Sequence, residues 1–226
     1  MNHVRRASYL NGNGATSLAL GDYSKATRHF KNSLKCLMQA LVENADMGDI
    51  EATTSTISRP IPRCRLDGMD EQIASANNQG GKPYIYSKAL IFYPNTSLTP
   101  VDIAFYSSVV VFNLVLTSHR KSSNLRERDL AKLLALYDLV LQLISASTRT
   151  GKYDSSHLVL ATLNNKSVVH SELGQHRVAR QVLYYVWDVL RTPVRRPRIL
   201  DPWEIEGISL NIFLMMVNAP NVAEAA

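Results

Sequence analysis

Two stretches of this chain, LGDYSKATRHF at residues 20–30 and LGQHRVARQVL at 173–183, break a helical pattern at a glycine and then resume it. Aligned on Gly21 and Gly174, the flanking positions also agree. Leu10 and Leu163 stand eleven residues before the glycine, and the small residues Gly14 and Ser167 stand seven before it. A ring follows at plus two (Tyr23, His176), an alanine at plus five (Ala26, Ala179) and a large apolar residue at plus nine (Phe30, Leu183). A third copy lacks the glycine but keeps the second-helix steps. Leu130, Leu133, Tyr137 and Val140 are spaced three, four, three, like Tyr23, Ala26, Phe30, Ser33 and His176, Ala179, Leu183, Val186.

Each recurring residue has a physical use. A glycine adopts the left-handed conformation that ends a helix without steric cost. A small residue on the first helix lets the second approach closely, and an alanine where the helices cross avoids a clash. The large residue then fills the space beside the hairpin, and the ring, including His176, is expected to pack rather than to bind a ligand.

The remaining chain divides by pattern. Residues 5–43 read as a first hairpin. Residues 44–82 hold few large apolar side chains and many Ser, Thr, Asn and Gly, and read as a flexible insertion. Residues 83–98, beginning PYIYSKALIFYP, alternate aromatic and β-branched residues as an extended piece does. Residues 99–217 are helical again, opening at Thr99-Pro100, a capping threonine with proline at the first helical position. Further helices are expected over 155–172 and 175–191, and a last one after Asp201-Pro202. Residues 218–226 read as a frayed tail.

At the glycine, small and alanine positions the chain resembles the tetratricopeptide repeat (TPR) family, whose unit is a 34-residue helix–turn–helix. The two glycines lie 153 residues apart, which is not a multiple of that repeat. The order of an extended YIYSKALIFYP piece leading into FNL also looks like that of certain algal TPR-like proteins, a likeness that brings no function with it. The resemblance implies an all-α fold of antiparallel hairpins stacked as a short α-solenoid. It also implies a concave groove, lined by the first helix of each pair, that takes an extended peptide or a helix of another protein. By the resemblance that lining comprises Asn11 and Ala15, then Asn113, Leu116 and His119, then Asn164, Asn165 and Val168. One TPR subclass clamps a C-terminal carboxylate with Lys, Arg and Asn. Asn113 matches its asparagine, but Ala161 and Asn165 stand where the Lys and Arg should be, so chaperone-tail binding is not expected.

Asn113 and Asn165 recur at the same helical place, although asparagine adds little to helix stability and is a poor core residue. Their amides either bond a neighbouring helix carbonyl or, offering donor and acceptor together, bond the backbone of a bound peptide.

Chemistry is sparse in this sequence. There is no GxSxG elbow, phosphate-binding glycine loop or HExxH, and no two of the six histidines stand four apart on a helix. Asp67, Asp70 and Glu71 cluster in the polar insertion, where they read as solvated rather than as a metal site. No catalytic activity, cofactor or metal is expected. A net charge of +6 keeps an RNA-binding helical repeat as the alternative function. The densest basic group, Arg191, Arg195, Arg196 and Arg198, reads as a solvated connector. With two cysteines in unlike surroundings, no disulfide framework is expected. No N-terminal apolar run suits a signal peptide, and ISLNIFLMMV is too short to span a bilayer. A cytoplasmic or nuclear protein that does not enter membranes is the expectation.

Overall fold

The computed structural model describes residues 3–46, 83–94, 99–121, 125–148, 153–191 and 202–217. Among these the chain is all-helical, with seven helices: α1 His3–Ala19, α2 Tyr23–Asp46, α3 Pro100–Lys121, α4 Glu127–Thr148, α5 Ser156–Glu172, α6 His176–Arg191 and α7 Pro202–Val217. Of the expected insertion over 44–82, residues 47–82 lie outside the described residues, as do 95–98 and the tail at 218–226. α2 runs three residues past the expected hairpin limit at 43. Nothing before Asp46 breaks it, and the Asn44 amide bonds back to the Ala40 carbonyl at 2.8 Å.

Both predicted turns close in the same way. Gly21 and Gly174 have φ of 77° and 71°. Asp22 N–H donates to the Ser17 carbonyl at 2.9 Å and Gly21 N–H to Leu18 at 3.1 Å. Gln175 N–H donates to His170 at 2.8 Å and Gly174 N–H to Ser171 at 3.0 Å. These paired bonds satisfy the last carbonyls of α1 and α5 with a left-handed glycine at the turn.

The chain divides into two compact units. The first contains α1, α2, α3, the non-helical piece from Lys88 onward, residues 138–148 of α4 and Tyr153. Here α1 packs on α2 and α2 on α3. A Cβ on Gly14 would stand 2.5 Å from the Phe30 ring, so only glycine allows that ring to lie against α1. Ala26 and Phe30 are fully buried. Ser33 stands on the same buried face, and its hydroxyl donates to the Ala7 carbonyl at 2.7 Å, which removes the cost of burying it. Phe92 stacks on Tyr106 with centroids 4.5 Å apart, and Phe105 on Tyr153 at 4.1 Å. α3 begins as expected: Thr99 N–H donates to the Asp102 carboxylate at 2.7 Å, while Asp102 N–H donates to the Thr99 hydroxyl at 3.3 Å. The other oxygen of the buried Asp102 carboxylate accepts from the Tyr153 hydroxyl. Burial and that bond push the Tyr153 phenol well above its ordinary value. By length and composition α3 and α4 could each cross a membrane; 72% of the most apolar stretch of α3 and 33% of that of α4 is buried inside the protein.

The second unit contains the non-helical piece up to Ser87, residues 127–137 of α4, and α5, α6 and α7. α5 packs on α6 and α6 on α7 around Leu160, Leu183, Val186, Leu190, Ile208 and Ile212. Ala179 is fully buried, as its crossing position requires. His176 departs from expectation: it is exposed, in the first turn of α6, and the buried stripe begins only at Ala179. Tyr23, its counterpart, is half-buried. The ring position is therefore not a core position in either hairpin.

Candidate peptide-binding groove

The odd-numbered helices each carry asparagine directly after a large apolar residue: Leu10-Asn11 on α1, Phe112-Asn113 on α3, Leu163-Asn164 on α5 and Leu210-Asn211 on α7. All four asparagines are fully buried, and so is Asn165. An asparagine amide carries the same donor and acceptor as a peptide group. Each of these amides is used on main chain from residues 83–94.

In the first unit the target is Leu90. Its N–H donates to the Asn113 side-chain carbonyl at 2.8 Å. Its carbonyl accepts from the Asn113 amide at 2.7 Å and from the Asn11 amide at 2.9 Å. Asn113 also donates to the Asn11 side-chain carbonyl at 2.9 Å, locking the two amides together. One turn earlier on α1, the Ser8 hydroxyl donates to the Phe92 carbonyl at 2.7 Å.

The second unit repeats this device at Tyr84. The Tyr84 N–H donates to Asn211 at 2.5 Å, and its carbonyl accepts from Asn211 at 2.6 Å and from Asn164 at 3.1 Å. Asn211 donates to the Asn164 side-chain carbonyl at 2.8 Å, as Asn113 does to Asn11. Asn165 then takes Tyr86, accepting from its N–H at 2.7 Å and donating to its carbonyl at 3.0 Å. In the second unit the residues gripped are 84 and 86 and in the first 90 and 92, each pair two apart as along one edge of an extended chain. A strand would satisfy that edge with a neighbouring strand; here side-chain amides do so.

Side chains of the piece are held as well. Tyr86 is fully buried, its hydroxyl 3.0 Å from His157 Nε2 and its ring edge-on to that imidazole. His157 Nε2 lies 4.0 Å from the carboxylate of the fully buried Glu204. The Tyr84 ring lies on α7 at Gly207, where a Cβ would stand 2.7 Å from it. Burial, with the Glu204 charge adding to it, pushes the Tyr84 phenol well above its ordinary value.

The predicted site residues thus fall into two sets. Asn11 and Asn113 meet at Leu90; Asn164 and Asn165 meet at Tyr84 and Tyr86. Ala15, Leu116 and Val168 are buried. His119 is buried, and burial holds its pKa down at about 4. The peptide that the asparagines hold belongs to the same chain. Sequence reasoning missed Asn211, Ser8, His157 and Glu204. The repeated pairing of a large apolar residue with asparagine would have found Asn211, whereas nothing local marks the other three. Among the described residues, no three His, Cys, Asp or Glu side chains converge as a metal site would need.

No protein-family profile matches the chain, and neither a curated protein nor a solved structure matches it.

Proposed function

We propose that this protein is a non-catalytic interaction module, a short TPR-like solenoid whose asparagines grip extended polypeptide by its main chain. Residues 83–92 are the stretch gripped in the resting chain. The observation that carries this reading is the double pairing of N–H and C=O at Tyr84, Tyr86 and Leu90. Such pairing reads a backbone and leaves side-chain pockets to set specificity, which is how extended peptides are recognised. The solenoid reading draws support from the two alike glycine turns and from the packing of α1 on α2, α2 on α3, α5 on α6 and α6 on α7.

A partner peptide must compete with a tethered segment. Tethering gives that segment an effective concentration of roughly millimolar. Burial of Tyr86, Leu90 and Phe92 adds about 1.5–3 kcal/mol for each side chain. Capture in trans therefore needs the resident segment weakened. The test uses the full chain carrying Leu90→Lys and a labelled synthetic peptide of residues 83–94. The variant is expected to keep its helical circular dichroism and to bind the peptide, and adding Asn113→Ala should abolish binding. An unfolded variant, or a folded one that ignores the peptide, would make the segment a fixed strut of the fold and end the interaction reading for this groove.

A further inference from the structure

The buried face of α6 is accounted for, but its outer face is not. Arg177, Arg180, Tyr184, Trp187 and Arg191 are spaced three, four, three, four and so form one stripe along the helix. Tyr184 is 57% exposed and Trp187 41%, with Arg177 and Arg191 exposed and Arg180 half-buried. Tyr185, 56% exposed, flanks the stripe. A folded protein rarely leaves this much aromatic surface in one row without use.

We propose that this stripe is a docking surface for an acidic amphipathic helix of another protein, distinct from the asparagine groove and independent of the function proposed for it. The spacing is that of a helix–helix seam, about 21 Å long at 1.5 Å per residue. Arg, Tyr and Trp are the residue types that dominate interface hot spots. The rings offer apolar contact to leucine or isoleucine, and the guanidinium groups pair with carboxylates in forked geometry. Charge complementarity fixes the sign of the partner. The stripe holds three arginines, its one acidic neighbour Asp188 is paired with Arg191 at 3.5 Å, and Arg195, Arg196 and Arg198 follow in sequence. A second copy of α6 would set arginine against arginine, which disfavours self-association. A helix ridge is convex and lacks the groove that single-stranded nucleic acid needs to track its backbone.

The test titrates the full-length protein with three labelled probes. The first is a synthetic helical peptide of about three heptads with leucine at the seam and glutamate beside it. The second is a scramble of the same composition, and the third is a single-stranded oligouridylate. The helical peptide is expected to bind at least about tenfold more tightly than the scramble. Tyr184→Ala with Trp187→Ala, and separately Arg177→Glu with Arg180→Glu, should each weaken it about tenfold or more. Both variants should keep the parent melting temperature within a few degrees, because the changed side chains are not in the core. Equal binding of the scramble, or unchanged binding by both variants, would overturn the proposal. So would tighter binding of the oligouridylate with the same dependence on these residues, a dimer that the variants dissociate, or unfolding of both.

Discussion

Asn113 uses both its donors and its acceptor: one amide hydrogen on the Leu90 carbonyl, one on Asn11, and its own carbonyl on the Leu90 N–H. Removing it strands the Leu90 N–H and the Asn11 oxygen in the interior. Each such buried orphan costs about 1–3 kcal/mol. Asn113→Ala should therefore lower stability by about 2–4 kcal/mol in urea unfolding, while Asn44→Ala, a partly buried asparagine serving only its own helix, should cost under about 1 kcal/mol. Equal losses would show that the grip on Leu90 carries no weight. His119 yields a pH dependence. Its folded pKa of about 4 lies below the unfolded value near 6.5, so between those values the unfolded state binds more protons. Stability is fully present above pH 6.5 and falls as the pH drops towards 4, by about 3 kcal/mol in all. His119→Gln should flatten that slope in denaturant midpoints measured across the range. At this scale the sequence marked Asn113 and Asn165 as misfits on otherwise apolar helices. It could not say that their partner was the chain itself, because a main-chain target carries no side-chain signature. Asn211 went unseen because it stands between Ile208 and Ile212, apolar residues at helical spacing that pack in the core.

The helices and their turns were the most legible part of the sequence. Glycine spacing, a proline at the first helical position and apolar steps of three and four act locally, so the ends of α1, α3, α5 and α6 fall within a few residues of expectation. The His176 ring is the exception. Its burial depends on whether another element covers the first turn of α6, which no local pattern encodes. Two glycines on α1 make the distinction between backbone and packing measurable. Gly12 has open space where a Cβ would go, so Gly12→Ala should stabilise the helix by about 0.5–1 kcal/mol. Gly14→Ala, one half-turn on, drives a methyl into the Phe30 ring and should cost about 1–3 kcal/mol. Thermal melts of the two variants should move in opposite directions; a shift of the same sign would remove the close approach of α1 and α2 from the account. By the same logic Ala179→Arg, which forces a cation into the fully buried crossing of α5 and α6, should abolish cooperative unfolding. Gln181→Arg, on the exposed face two residues away, should change stability by less than about 0.5 kcal/mol.

Across the whole molecule, two compact units use one device, a pair of asparagines from odd-numbered helices clamping a single residue of the piece at 83–94. That the piece is not helical was legible from its alternating aromatic and β-branched residues. Its role was not, because an extended segment read in isolation has no visible partner for its backbone edge. Native-state hydrogen exchange reads that edge directly. The amide hydrogens of Tyr86 and Leu90 donate to the side chains of Asn165 and Asn113, and their protection should follow those two residues. Both should exchange at least about a hundredfold more slowly than in an open chain. Asn113→Ala should release Leu90 while sparing Tyr86, and Asn165→Ala the reverse. Rapid exchange at both positions in the parent protein, or protection that survives loss of the asparagine, would contradict the claim that these amides hold the segment.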